Sequence, residues 1–521
     1  MARRTWPVAR RTWLVGVLVA AVAPWSCAGR AQPDRPQPER PRPNVLFIAV
    51  DDLRPEGGAF GPSPVRTPHL DDLARRGVTF TRAYVQQALC SPSRTSLLTG
   101  RRPDTTRIYD LQTHFRSTIP HVVTLPEHFR RHGYHTQSFG KIYHDGLDDP
   151  QSWSVPHWMP AVAWNEAYGK PETLADVRRR REQLLAGGKP LGPQVLERDP
   201  RTGAALKLGP GGPGVRGPSW EDPAVADEGL PDGELASAAI AAMREVRDRP
   251  FFLALGFFKP HLPFVAPKRY YDLYPIETIQ LASNPFPPRD APPLALHNSG
   301  ELRQYPDIPA KGPIPDGKAR ELRRGYFASV SYVDAQIGRV FAELDRLGLR
   351  DRTIVVLWGD HGWHLGEHGL WNKHTNFEVA TRSPLIISAP GRRNRGARTS
   401  ALAELVDVYP TLCRLAGLPM PEGLEGADLG PVLDDPSRTV KHAAFSQYPR
   451  QKGMGYTMRT ARHRYTEWRI TAGDVVGVEL YDHRTDSQEN VNLAERLESR
   501  TLVAELSARL KAGWRAAAAN R

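Results

Sequence analysis

Two acidic motifs in this chain directly follow apolar runs: Asp51-Asp52 after NVLFIAV, and Asp360-His361 after TIVVLWG. Such runs read as strands buried on both faces, and α/β proteins place their ligands beyond the carboxyl ends of those strands. Adjacent carboxylates repel each other unless a cation lies between them. Either pair alone reads as loop or helix-cap residues. Together, at equivalent strand ends, the three carboxylates describe a hard, oxygen-rich site suited to calcium or magnesium.

A third feature is LCSPSRTSLLTG, with Cys90 at the start of a predicted helix. Exposed amides and the positive end of the helix dipole favour anions there, which suits a thiolate nucleophile. A soft thiolate and a calcium-like oxygen cage are mismatched, however, and the conflict disappears if the cysteine becomes an oxygen species. The other two cysteines offer no partner. Cys27 falls in the N-terminal leader, and Cys413 in AELVDVYPTLCRLAG has the helical spacing of a buried core thiol. His364 and His368 in DHGWHLGEH imitate a zinc-binding helix, but the Gly and Trp around them predict a loop instead.

These residues need a scaffold, and the chain supplies alternating elements. After the first strand, TPHLDDLARRG predicts a helix with Thr67 as N-cap and Gly77 as its stop. VTFTRAYV is a strand, and TLPEHFRRHG with YHTQSFGK repeats helix-then-strand. PFFLALGFF is a strand ahead of Lys259-Pro260-His261. A long amphipathic helix is expected over 323–347, and TIVVLWGDHG and SPLIISAP are strands. Strands alternating with helices predict an α/β sandwich with a large, mainly parallel sheet. Residues 186–222 are Gly- and Pro-rich without periodicity and predict an exposed insertion. Beyond about 440, short strand-like runs and a final helix predict a small α+β subdomain with an antiparallel sheet.

Composition is that of a globular protein, with 40% hydrophobic and 24% charged residues. Of the +13 formal charge, residues 1–42 contribute +6 through eight arginines against Asp34 and Glu39. The mild basic excess that remains suits an anionic substrate. No nucleic-acid-binding motif is present, so nucleic acid is not an expected partner. Residues 1–31 read as a signal peptide: a basic MARRTWPVARRTW, a short apolar LVGVLVAAVA, then small residues suited to cleavage. Arg10-Arg11 resembles a twin-arginine signal, and Pro24 and Trp25 fit a lipobox at Cys27 poorly. The apolar run is too short to span a bilayer, so the mature protein is expected without a stable membrane span, in the periplasm or secreted. Residues 32–43 read as a flexible linker.

Cys90-Ser91-Pro92-Ser93-Arg94 followed by TSLLTG resembles the signature of the type I sulfatases. NVLFIAVDDLRP, RIYDLQTHFR, GKIYHDG, FFKPHLPF, DHGWHLGEHGLWNKHTNFEVATRSPL and FSQYPR resemble stretches of that family in the same order. They are most similar to the branch that acts on 2-O-sulfated uronates. The resemblance spans about residues 44–495 and is looser at the insertion. It implies the alkaline-phosphatase-like sandwich, with a catalytic domain over 44–438 and the C-terminal subdomain over 439–521. It implies that a formylglycine-generating enzyme oxidises Cys90 to formylglycine (3-oxoalanine). One calcium ion would then be held by Asp51, Asp52, Asp360, His361 and the modified Cys90. Lys141, His144, His261 and Lys373 match sulfate-contacting positions, and Arg94 matches the residue that holds the formylglycine side chain. The implied reaction is hydrolysis of a sulfate ester on a sulfated saccharide, with His261 the candidate acid and His144 the candidate base, an assignment that can be exchanged. His364 stands where the resembled branch has a small residue, which predicts an altered pocket rim. A phosphoester or phosphonate hydrolase, or an inactive anionic-glycan binder, are the alternative readings.

Overall fold

A computed structural model describes residues 12–16, 42–189, 191–209, 215–470 and 473–519. The proposed signal peptide and linker fall almost wholly outside the described residues. Residues from Arg42 onward form one compact unit.

The central sheet has seven strands: β1 (Asn44–Val50), β2 (Val78–Phe80), β3 (His135–Gly140), β4 (Phe251–Phe257), β5 (Thr353–Gly359), β6 (Leu385–Ser388) and β7 (Ala397–Thr399). Their order is β7-β2-β6-β5-β1-β4-β3. Strand β1 runs parallel to both neighbours, with Val50 level with Gly359 of β5 and Phe257 of β4. Strands β3 and β4 are also parallel, with Gly140 level with Gly256. Only β6 runs against its neighbours. Four parallel strands therefore end at one edge in register. The residues that follow them, Asp51, Lys141, Phe258 and Asp360, emerge together.

Alternation along β1 explains the two layers. Leu46, Ile48 and Val50 pack on one face, among residues of α1 (Pro68–Arg76) and of two longer helices, Pro231–Val246 and Asp316–Arg346. Val45, Phe47 and Ala49 pack on the other face, with Leu97 and Leu98 of the helix Cys90–Thr99 and Cys413 of the helix Val408–Ala416. In chain order these four helices are α2 (Cys90–Thr99), α3 (Pro231–Val246), α4 (Asp316–Arg346) and α5 (Val408–Ala416). Burial of both faces is why the strand reads as an unbroken apolar run. At the C-terminus, β8 (Ala444–Arg450), β9 (Gly453–Arg459), β10 (His463–Ile470) and β11 (Val475–Asp482) form an antiparallel sheet covered by α6 (Arg500–Ala516).

Three local expectations change. Thr67 precedes α1 but makes no side-chain cap bond. The Asp334 carboxylate of α4 accepts from the His69 and Leu70 amides instead, a long-range cap that no local pattern reveals. The long helix begins at Asp316 rather than 323, because Ala319 and Leu322 continue its buried face. The insertion is only partly exposed. Val195–Arg198 is exposed, but it pairs with Ala205–Leu208, whose Ala205 and Leu208 are buried against Leu147. Further on, Ser219 bonds to the Asp307 carboxylate, and the Glu221 carboxylate accepts from the Gly169 and Lys170 amides. Polar tethers to the backbone order this segment, and they leave no periodicity to read.

Candidate active site

The strand ends converge because glycine lets them. Lys141 donates its amide to the Gly256 carbonyl, and a Cβ on Gly256 would lie 2.1 Å from the Lys141 oxygen. Asp51 donates its amide to Phe257. Asp52 adopts a left-handed conformation (φ 58°) and donates its amide to Asp360 Oδ1 at 3.0 Å. Helix α2 then brings Cys90 in from the opposite layer. The Cys90 sulfur lies 3.4 Å from His361 Nε2, and Ser93 Oγ donates to the Asp360 carbonyl.

Arg94 is buried beneath this edge. Its Nε bonds to Asp360 Oδ2 and its Nη2 to Asp51 Oδ1, each at 3.0 Å, and Nη1 donates to the carbonyls of Lys141 and Ile142. It ties together the ends of β1, β3 and β5. Lys141 Nζ bonds to Asp51 Oδ2 at 2.5 Å. Burial alone would raise the Asp51 carboxyl, but Lys141 and Arg94 hold it well below the usual carboxylate range.

Asp52, Cys90, Asp360 and His361 offer ligand atoms that all lie within 4.8 Å of one another. Asp51 stands just behind them, its oxygens occupied by Arg94 and Lys141. His361 Nδ1 faces the Gly362 carbonyl at 2.9 Å, which leaves Nε2 turned to Cys90 and 3.3 Å from Asp52, the orientation of a metal-binding imidazole. Burial pushes the Asp52 carboxyl up to about 8, with Lys373 pulling down and Asp51 pushing up. A buried carboxylate under that stress fits a site completed by a cation. The donor set, carboxylates with one imidazole, suits a hard ion such as calcium. Burial also pushes the Cys90 thiol well above its ordinary value, against the pull of Lys141 and Lys373. The thiolate suggested by the helix N-terminus is therefore disfavoured, and an oxygen at this position matches the other ligands better.

The remaining expected residues ring this group. Lys373 Nζ lies 3.0 Å from Asp52 Oδ1 and 4.9 Å from the centre of the Trp363 ring. His261 Nε2 lies 3.4 Å from Lys373 Nζ and 3.6 Å from Asp52. Its ring packs edge-on against Trp164 at 4.6 Å, and Trp164 also lies 5.2 Å from Lys141 Nζ. His144 follows Lys141 and lines a cavity of about 350 Å³ that the insertion hairpin helps to wall. Its buried Nδ1 has no hydrogen-bond partner among the described residues. Burial, then Lys141, hold its pKa well below the ordinary value, a neutral imidazole suited to accepting a proton. His364 is buried, bonded to Thr375 Oγ1 and the Glu367 carbonyl within a short strand and turn. It lies inside the protein, so the rim change expected of it is not found at its own side chain.

Two site neighbours escape the sequence. Glu301 contacts both Lys373 and His261 from an irregular segment. Lys259 donates to the carbonyls of His261 and Pro263, pinning the loop after β4. Lys259 had a signal in its place beside His261; Glu301 had none.

Comparison with known proteins agrees with this geometry. A family model described as Sulfatase matches residues 43–418, which include every residue named at this edge. The chain belongs to the sulfatase family. This sulfatase is a sulfuric ester hydrolase. A second model, the C-terminal region of N-sulphoglucosamine sulphohydrolase, matches residues 366–515. Among curated relatives, iduronate 2-sulfatase of Mus musculus is 37% identical over 500 residues, covering 82% of this chain and 84% of the relative. The same enzyme of Homo sapiens is 36% identical over 501 residues, with the same coverage. Among solved structures, the phosphonate monoester hydrolase of Agrobacterium radiobacter superposes with a TM-score of 0.68 at 24% identity, covering 90% of this chain and 96% of that one. The sulfatase therefore has the alkaline-phosphatase-like fold expected of it. No helix among its described residues is long and apolar enough to cross a membrane.

Proposed function

We propose that this sulfatase removes sulfate from a sulfated saccharide, specifically a 2-O-sulfated uronate, using Cys90 converted to formylglycine and one calcium ion. The observation that carries the reading is the meeting of Cys90 with Asp52, Asp360 and His361 at an edge ringed by Lys141, His261 and Lys373. The likeness to iduronate 2-sulfatase supplies the sugar. Asp51, Asp52, Asp360, His361 and modified Cys90 would hold the ion, with Asp51 also oriented by Arg94 and Lys141. When bound, the ion supplies charge that draws the sulfate oxygens, and the hydrated aldehyde supplies the oxygen nucleophile a buried thiol does not.

The protein's own groups do the rest. Lys141 and Lys373 offset the charge that develops on the sulfonyl oxygens. As the ester S–O bond breaks, His261 in its protonated form gives the Nε2 proton to the departing alcohol oxygen. Burial and Lys373 lower its pKa, and Asp51 and Glu301 act against them. His144 would act as the base at position 90, taking a proton there as sulfate is released. Arg94 keeps Asp51 and Asp360 in place throughout.

Maturation would need a formylglycine-generating enzyme, and residues 1–31 would direct export to the periplasm or beyond, leaving domains over 44–438 and 439–521. Mass spectrometry of the tryptic peptide ending at Arg94, taken from active protein, tests the mechanism. An aldehyde mass at residue 90 is expected, and intact cysteine alone would overturn it. The likeness to a phosphonate monoester hydrolase gives a second reading, phosphoester or phosphonate hydrolysis. Rates on an aryl sulfate and the matching aryl phosphate separate the two, and a clear preference for phosphate would favour the second. A binding protein without turnover would have no use for a buried residue 90 among metal ligands.

A further inference from the structure

Glu301 is the least expected member of the site. It precedes the short turn Leu302–Gln304, within a stretch without regular periodicity. Its Oε1 accepts from Lys373 Nζ at 3.0 Å and lies 3.1 Å from His261 Nε2. Its other oxygen is 3.8 Å from His374 Nε2 and has no hydrogen-bond partner among the described residues. Exposure marks its place. The side chains of Asp51, Asp52 and Asp360 are fully buried and that of Lys373 is 2% exposed, whereas His261 keeps 11% and Glu301 17%. Glu301 and His261 thus lie toward the side from which a substrate arrives.

The His261 ring is otherwise held by its own loop. Nδ1 faces the Leu262 carbonyl at 2.7 Å, Trp164 packs against the ring, and Lys259 pins the His261 carbonyl. Those contacts fix the plane of the ring, but Nε2, 3.4 Å from the Lys373 cation and 3.6 Å from Asp52, needs a nearer acceptor to anchor a proton there. Glu301 is that anchor. The same oxygen, Oε1, also accepts from Lys373, whose ammonium Asp52 holds from the other side.

We propose that Glu301 is a positioning residue: it holds His261 Nε2 toward the leaving oxygen, while Lys373 Nζ is held independently by Asp52. This rests on the assignment of His261 as the acid, made above. The consequence is selective. A leaving group that departs as a stable anion needs little proton delivery, whereas a poor one needs it fully.

The test compares 4-nitrophenyl sulfate with phenyl sulfate in the holoenzyme, in Glu301→Ala, and in the near-isosteric Glu301→Gln. Melting temperature, calcium content and the state of Cys90 are matched first. For Glu301→Ala, kcat on phenyl sulfate should fall about 10–100-fold, the range seen when an orienting partner is lost. On 4-nitrophenyl sulfate it should change less than about threefold. Glu301→Gln, which keeps one acceptor oxygen, should lose less on phenyl sulfate than Glu301→Ala does. No loss, or equal loss on both esters, overturns the proposal. His261→Ala separates the two claims. If it shows the leaving-group dependence and the Glu301 variants do not, the role of Glu301 fails alone. If it shows none, the acid assignment fails and this inference with it.

Discussion

Two groups of acids and histidine in this sulfatase look alike and are built for different ends. Asp52, Asp360 and His361 gather with Cys90 at the sheet edge, and Glu378, His483 and Glu489 gather where β10 and β11 meet the catalytic core. In the second group arginine closes the charge. Arg464 Nε bonds to Glu489 at 2.6 Å and its Nη2 reaches Glu378, which also accepts from Arg459 and from Tyr84 Oη. Burial would raise Glu489, but Arg464 and His483 hold it down at about 2. Asp52, with a single lysine, is pushed up instead. The same side chains are a finished structural joint where cations are built in, and a site that fits an ion where they fall short.

The largest effect expected from breaking that contrast is at Cys90. Cys90→Ala should cut turnover by about 10⁴-fold or more while the protein stays folded, because the nucleophile is gone and the core is not. Substantial residual activity with a native melting curve would remove position 90 from the chemistry. At the other group, Arg464→Ala takes the arginine from the buried Glu489 and one of two from Glu378, and should cost about 3 kcal/mol in denaturant unfolding. Its metal content should match wild type, and loss of metal with unchanged stability would dissolve the distinction between the two groups.

The joint should also govern acid stability. The pKa of Glu489 is depressed in the folded protein from 4.5 to about 2. Its contribution is therefore complete above about pH 4.5 and is lost as pH falls toward 2, at most about 3 kcal/mol. Unfolding measured between pH 5 and 2 should show a shallower loss for Glu489→Gln than for wild type. Identical slopes would place the acid sensitivity elsewhere. The smallest effect belongs to the second thiol. Cys413 is buried in α5, so Cys413→Ala should cost about 1 kcal/mol and leave kcat within error of wild type, the reverse of Cys90→Ala.

Much of this was legible beforehand because the signals were local. Val45–Val50 and Ile354–Leu357 announced buried strands by unbroken apolar runs, and Asp51, Asp52, Asp360 and His361 stood at their ends. Cys90 to Arg94 carried its own motif. Lys141, His261 and Lys373 needed family resemblance, since a single lysine or histidine has no local signature. The insertion is less exposed than its composition predicts at 205–209 and 215–222. Asp307 accepts from Ser219, Glu221 accepts from the Gly169 and Lys170 amides, and such partners are invisible along the chain.

Sequence by itself determined the layered α/β architecture, the strand ends that carry the acids, and the motif around Cys90. Those depend on side-chain periodicity and short spacing, which the chain displays directly. Tertiary structure alone decided that Asp51 is bound by Arg94 and Lys141, that Asp334 caps a helix far from it in sequence, and that Glu301 joins Lys373 to His261. Each is a contact between segments tens to hundreds of residues apart. The register of parallel strands and the packing of loops create such contacts, and no local pattern encodes them.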